Sequence, residues 1–155
     1  MAISTGHWKN IKRRVEDLAD PTLGFQVDYA THTGTRFTVK IQNETIWTFP
    51  DDFLTKNNPH HPAAIVESTL HWNWWAYESR IWDIYRCYVD APKDRLLDPS
   101  YLETVTNVRD DYHLLDILRC ADRRIGWRKL FMWSLLQETD NNPASKVLAA
   151  RFKKT

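Results

Sequence analysis

Glycine is scarce in this chain, at four of 155 residues, and no segment has the GxGxxG or GxxxxGK[ST] pattern of a phosphate-binding loop. A nucleotide loop of that kind is therefore excluded, and no cofactor is expected. No apolar run approaches the roughly 18 residues of a membrane-spanning helix. The N-terminal segment is polar and lacks the apolar core of a secretory signal. We therefore expect a cytoplasmic protein with no membrane partner.

Cysteine is also scarce, since only Cys87 and Cys120 occur. In a reducing compartment we expect both to be buried thiols, because free cysteine packs as a small apolar residue. The sequence leaves a disulfide between them open. CxxC and HxxxH spacings are absent, and the adjacent His60 and His61 do not make a metal site by themselves. No bound metal is expected.

The length of 155 residues predicts a single domain, residues 1–155, that is large enough to bury a core of its own. The net charge is only +1, but it is unevenly distributed. Residues 44–116 contain 13 acidic and 6 basic residues, whereas residues 117–155 contain 3 acidic and 9 basic residues. An acidic middle followed by a basic end favours electrostatic binding functions.

The hydrophobic periodicity predicts an α+β fold. Helical spacing covers residues 8–19, and the segments GFQVDYA, RFTVKI and ETIWTF then alternate apolar and polar residues, as half-buried strands do. In the third strand, Thr45, Trp47 and Phe49 are expected to share a face. Short links between the strands predict an antiparallel meander. The rest of the chain is helical in pattern, so we expect an N-terminal helix, a three-stranded meander and a bundle of about four helices covering one face of the sheet.

Tryptophan is abundant, at eight residues, and four of them lie within residues 71–82. On a helix, residues three or four apart share a face. One apolar stripe then contains Leu70, Trp74, Tyr77, Ile81, Ile84 and Tyr88. This stripe predicts a core helix in which Trp74 and Ile81 are almost fully buried. Trp72 falls at the edge of the stripe and is the candidate for an exposed aromatic in a binding groove.

The segment ILRCADRRIGWRKL is the strongest indication of function. The pattern predicts a helix that continues to Ile125, followed by a second helix, with basic residues on the outer side of the pair. Guanidinium groups beside an aromatic ring suit contacts to phosphates and bases. The candidate nucleic-acid-binding residues are Arg119, Arg123, Arg124, Trp127, Arg128 and Lys129. Alternatively, these residues form a solvated basic face or pair with the acidic middle of the chain.

One enzymatic interpretation rests on the order of acidic residues and strands. Metal-dependent nucleases often combine an acidic residue on a helix, an aspartate on a strand and a Glu-x-Lys on the next strand. Glu16 and Asp28 match the first two positions, but Thr38 stands before Lys40 where the second carboxylate is needed. A metal ligand is therefore missing, and no catalytic residue is predicted.

Three hypotheses follow for the function. The leading hypothesis is a small non-catalytic protein that binds nucleic acid phosphates through its basic C-terminal helices. The first alternative is a protein–protein interaction module, in which the acidic middle of one subunit meets the basic end of another or of a partner. The second alternative is a degenerate metal-dependent nuclease.

Overall fold

A computed structural model describes residues 5–30, 36–49, 79, 81–98, 100–102, 113–135 and 143–153. The longer helices are α1 (Thr5–Leu18), α2 (residues 81–90), α3 (Leu114–Ala121), α4 (Trp127–Ser134) and α5 (Ala144–Phe152), and residues 100–102 are also helical. The strands are β1 (Gln26–Ala30), β2 (Arg36–Ile41) and β3 (Glu44–Phe49), and short 3₁₀ turns occur at Pro21–Leu23 and Lys93–Arg95. The predicted α+β fold is confirmed. Among the described helices, none has both the length and the apolar character needed to cross a bilayer.

The three strands form the predicted antiparallel meander, in the order β1-β2-β3. Gln42 and Asn43 make the reversal between β2 and β3, both in the left-handed region with φ of 50° and 64°. Two such residues between paired strands are typical of a type I′ hairpin, whose twist matches that of the strands. Gly24 packs against this turn, and a Cβ built on it would lie 3.3 Å from the backbone nitrogen of Gln42.

The predicted alternation in β3 is wrong at one residue. Thr45 is exposed, whereas the adjacent Ile46 and Trp47 are both buried. The cause is a β-bulge, because Val39 lies opposite Trp47 while the next residue, Lys40, lies opposite Thr45. Ile46 is the extra residue, and the bulge turns it into the core.

The core lies between the sheet, α1 and the later helices. Trp8 of α1 contacts the rings of Tyr29, Phe37 and Tyr85 at centroid distances of 5.6–5.9 Å. The predicted apolar stripe is confirmed for the part of α2 that the structure describes, since Ile81, Ile84 and Tyr88 are all buried. Tyr85, beside the stripe, is buried as well. Trp72 and Trp74 lie outside the described residues.

The first C-terminal helix is shorter than predicted. It ends at Ala121, and Asp122 is extended and forms an isolated β-bridge with Ala19. The Arg123 amide donates to the carbonyl of Leu18 at 2.7 Å, which completes the attachment to the end of α1. This long-range pairing replaces the helical hydrogen bonds that the local periodicity predicts. Arg123 and Arg124 consequently lie in a turn between α3 and α4.

Neither of the two cysteines is in a disulfide. Cys120 is buried, as expected, whereas Cys87 is only half-buried because it lies at the edge of the α2 stripe. Burial raises the pKa of both thiols. Both are therefore poor nucleophiles at neutral pH.

Candidate functional site

The turn between α3 and α4 is held by the buried carboxylate of Asp122. This group accepts a hydrogen bond of 2.7 Å from the Tyr88 hydroxyl and one of 2.8 Å from Nη2 of Arg124. It also accepts from the backbone nitrogen of Arg124 at 2.8 Å. A charged group in the interior is tolerated when its lone pairs are satisfied in this way. Asp122 therefore fixes both the path of the turn and the position of the Arg124 guanidinium.

Arg151 of α5 holds the same turn from the other side. Its Nη1 donates to the carbonyls of Cys120 and Asp122 at 3.0 and 2.8 Å, and its Nη2 donates to the carbonyl of Ile125 at 3.0 Å. The last carbonyls of a helix have no partner within the helix, so a cation at this point satisfies the end of α3. Arg151 is buried and acts as part of the framework of the turn.

The predicted outer position of Arg119 is wrong. Only 5% of Arg119 is exposed. Its Nε donates to the carbonyl of Leu96 at 2.8 Å, and its Nη1 donates to Asp116 at 3.1 Å. Arg119 and Asp116 are three residues apart, so they share one side of α3. That side packs against the segment after α2, which contains Leu96. Arg119 therefore joins two parts of the fold and is not available to a phosphate.

Arg124 also departs from the prediction of an open basic face. It is half-buried, and its Nε and Nη2 are both occupied by the Asp122 carboxylate. Reversing its charge would place two carboxylates side by side in the interior. Arg124 is thus a fixed cation at the base of the site, and substitutions aimed at binding should leave it in place.

Three predicted basic residues remain at the surface. Arg123, Arg128 and Lys129 are exposed, and within the described part of the chain none of them forms an ion pair with a carboxylate. Arg123 is oriented by a hydrogen bond of 2.9 Å from its Nε to the carbonyl of Asp17. For these three residues, neutralisation by the acidic middle of the chain is not seen in the described residues.

Trp127 begins α4 and is 49% exposed. The guanidinium carbon of Arg128 lies 5.6 Å from the centre of its ring, within the range of a cation–π contact. The sequence therefore correctly placed an aromatic ring among surface cations. Such a pair offers a flat apolar surface beside a positive charge.

The rest of α4, with Leu135 directly after it, has an exposed apolar face that the sequence did not predict. Leu130 is the only described residue of this helix that is buried. Phe131, Met132 and Leu135 are exposed, at 44%, 63% and 63%. The signal was present, because the segment WRKLFMWSLLQE is apolar on more than one side of a helix, which a helix packed on one side does not need. We call Trp127, Phe131, Met132 and Leu135 the α4 surface.

The residues of the nuclease hypothesis do come together, but around a lysine. Nζ of Lys12 donates to Glu16 at 2.6 Å, to the carbonyl of Val27 at 2.7 Å and to Asp28 at 3.2 Å. Burial lowers the pKa of Lys12, but the hydrogen bonds to Glu16 and Asp28 outweigh it and the pKa is raised. The ammonium group thus lies between the two carboxylates that a metal ion would need.

We expect no magnesium- or manganese-dependent cleavage of nucleic acid. Thr38 lies opposite Asp28 in the sheet and supplies no carboxylate, and the Lys12 charge repels a divalent ion. Incubation of the purified chain with labelled DNA and RNA would test this. Cleavage that requires the metal and disappears in Asp28→Asn would show that the nuclease hypothesis is right.

Other candidates from the sequence fall outside the described residues, among them His60, His61 and Trp72. Within the described part, no group of three or more His, Cys, Asp or Glu side chains is placed to hold a metal ion. No family model, curated protein or solved structure matches this chain.

Proposed function

We propose that this chain is a non-catalytic binding protein that holds single-stranded nucleic acid on the turn before α4 and on the first turn of that helix. The observation that supports it best is the exposed ring of Trp127 beside Arg128. Bases stack on exposed aromatic rings, and neighbouring cations bind the backbone. We also propose a cytoplasmic location, which the absence of a disulfide between Cys87 and Cys120 supports.

The charges around Trp127 fit the phosphates of a strand. Arg128 follows Trp127 directly, and Arg123 lies in the turn that precedes α4. Both are exposed, so neither has to lose a carboxylate partner within the described residues before it binds a phosphate. We therefore expect contacts to the backbone rather than to base edges, and little sequence preference.

A second candidate function is protein binding, either to a partner chain or to a second copy. It is favoured by the other residues of the α4 surface, because Phe131, Met132 and Leu135 expose apolar side chains that stacking of a base on Trp127 leaves uncovered. Sedimentation of the chain alone tests self-association. A dimer that is lost in Met132→Glu would favour this second candidate.

The nucleic-acid proposal is tested by fluorescence anisotropy with labelled oligonucleotides. Trp127→Ala should weaken binding of a single strand by about 1–3 kcal/mol, the usual contribution of one stacked base. Duplex binding should change little, because the bases of a duplex are already stacked. The double variant Arg123→Glu/Arg128→Glu should abolish binding at physiological salt. In the partial variant Arg123→Gln/Arg128→Gln, the salt dependence should flatten by about 1.4 in log–log slope for two lost phosphate contacts.

Lys153→Glu is the matched control, because Lys153 is an exposed cation at the end of α5. It changes the net charge by as much as Arg128→Glu does, but it lies outside the proposed binding surface around Trp127. Equal losses in Lys153→Glu and in Arg128→Glu would mean that binding is non-specific. An absence of binding to any oligonucleotide at low salt would reject the proposal and leave protein binding as the better explanation.

A further inference from the structure

A cavity of about 350 Å³ opens between the 3₁₀ turn after α2 and the first turn of α4. Its volume falls within the range of sites for small ligands. The described residues that line it are Lys93, Asp94, Leu97, Arg124, Ile125 and Lys129. It is separate from the ring of Trp127, because residues two apart on a helix project in nearly opposite directions, and Lys129 is two residues after Trp127.

The cavity combines cationic groups, an apolar wall and one carboxylate. Lys93 and Lys129 are exposed ammonium groups that face it from two different segments. The Arg124 guanidinium also lines the cavity, but its charge is paired with the buried Asp122 carboxylate. The two lysines favour an anion over a cation, since Asp94 is the only carboxylate among the described lining residues.

The remaining lining residues favour a ligand that has apolar and hydrogen-bond-donating parts besides its anionic group. Half-buried Leu97, together with the small exposed part of Ile125, gives the cavity an apolar wall, on which a flat ring can lie. The Asp94 carboxylate can accept hydrogen bonds from hydroxyl or amino groups, which inorganic phosphate at neutral pH offers poorly. The ligand that uses all three features carries a phosphate, a flat apolar part and hydroxyl donors.

We propose that this cavity is a binding site for a nucleoside monophosphate. The phosphate lies between Lys93 and Lys129, the base lies against Leu97 and Ile125, and the sugar hydroxyls donate to Asp94. This inference goes beyond the proposed function, because it concerns one nucleotide unit in a separate cavity and does not use Trp127.

The experiment is isothermal titration of the full chain with AMP, with adenosine and with inorganic phosphate at constant ionic strength. AMP should bind with millimolar affinity or better, and more tightly than either fragment by about tenfold, because each fragment lacks one part of the recognition. Lys129→Glu and Lys93→Glu should each weaken AMP binding by about tenfold or more. Trp127→Ala should leave it unchanged.

Lys153→Glu again serves as the matched control, and it should retain the wild-type affinity for AMP. The inference is overturned if AMP does not bind, or if Lys153→Glu reduces binding as much as Lys129→Glu. It is also overturned if inorganic phosphate binds as tightly as AMP, since the cavity would then recognise only an anion. None of these outcomes depends on whether oligonucleotides bind to the Trp127 side, so the two proposals fail separately. The same titration with a 5′-phosphorylated oligonucleotide in place of AMP shows whether the cavity also binds the 5′ end of a strand.

Discussion

Asp122→Ala is expected to lower the free energy of unfolding by about 3–5 kcal/mol, the usual effect of breaking a buried charge pair. The carboxylate is fully buried and accepts from the Tyr88 hydroxyl and from two nitrogens of the Arg124 side chain. Without this carboxylate, the half-buried Arg124 guanidinium loses its ion-pair partner, and the Tyr88 hydroxyl loses its hydrogen-bond acceptor. Urea denaturation followed by circular dichroism measures the change in midpoint.

Asp94→Ala is the control for this variant, because Asp94 is exposed. A surface substitution of that kind changes stability by only about 0.5 kcal/mol or less. Asp122→Asn should be intermediate, because the amide keeps one acceptor but loses the charge. A denaturation midpoint of Asp122→Ala equal to that of wild type would contradict the central role of this carboxylate.

The same network determines how the proposed binding residues are presented. Arg123 lies between Asp122 and Arg124, and the carbonyls of the turn are held by Arg151. A strand bound at Arg123 and Arg128 therefore meets a turn that is already fixed, which reduces the entropy lost on binding. In Asp122→Ala, binding should weaken even at temperatures where the chain remains folded.

The sheet could be predicted from the sequence because its determinants are local. Phe37, Val39 and Ile41 alternate with polar residues, and all three are buried in β2. The bulge at Ile46 could not be predicted in the same way, because it depends on the register between two strands and not on either strand alone. The alternation of Trp47 and Phe49 survives the bulge, so the error is limited to one residue.

The candidate site was predicted only in part, for the same physical reason. The helix pattern runs through Arg123 and Arg124, but Ala19 pairs with Asp122 across more than a hundred residues and ends the helix. Arg119 looks like a surface residue by spacing, and only the approach of Leu96 shows why it is buried. The cavity joins residues 93–97 to residues 124–129, and no local pattern marks such a pairing.

The folded chain is also expected to lose stability steeply above pH 10. Tyr85 and Tyr88 are almost completely buried. Burial raises the pKa of both hydroxyls well above the usual value, and the negative charges of Asp28 near Tyr85 and of Asp122 near Tyr88 raise it further. In the unfolded chain, tyrosine ionises near pH 10, at its ordinary pKa of about 10.

The direction of the pH effect on stability follows from the difference between the tyrosine pKa in the folded chain and in the unfolded chain. Below about pH 10 a tyrosine is protonated in both states, so its contribution to stability is fully present. Above that pH the unfolded chain releases a proton that the folded chain retains, and each tyrosine lowers the free energy of unfolding by about 1.4 kcal/mol per pH unit. The buried Cys120 thiol acts in the same direction from about pH 8.5, because burial raises its pKa as well. Summed over these three groups, the loss reaches about 6 kcal/mol at pH 11 and about 15 kcal/mol at pH 13. With a stability of ordinary size, about 5–15 kcal/mol, unfolding is therefore expected between about pH 11 and 13.

Circular dichroism and tyrosinate absorbance, recorded together against pH, measure this transition. The buried tyrosines should ionise in the same cooperative step in which the helical signal is lost. Tyr85→Phe should reduce the pH slope by about 1.4 kcal/mol per unit and move unfolding to higher pH. Tyr85→Phe should change the free energy of unfolding little at neutral pH, because the Tyr85 hydroxyl has no hydrogen-bond partner among the described residues.

Tyr88→Phe removes the ionisation of Tyr88 but also its hydrogen bond to Asp122, so it should lower stability at neutral pH. If Tyr85→Phe left the alkaline transition unchanged, burial of this hydroxyl would not be its cause.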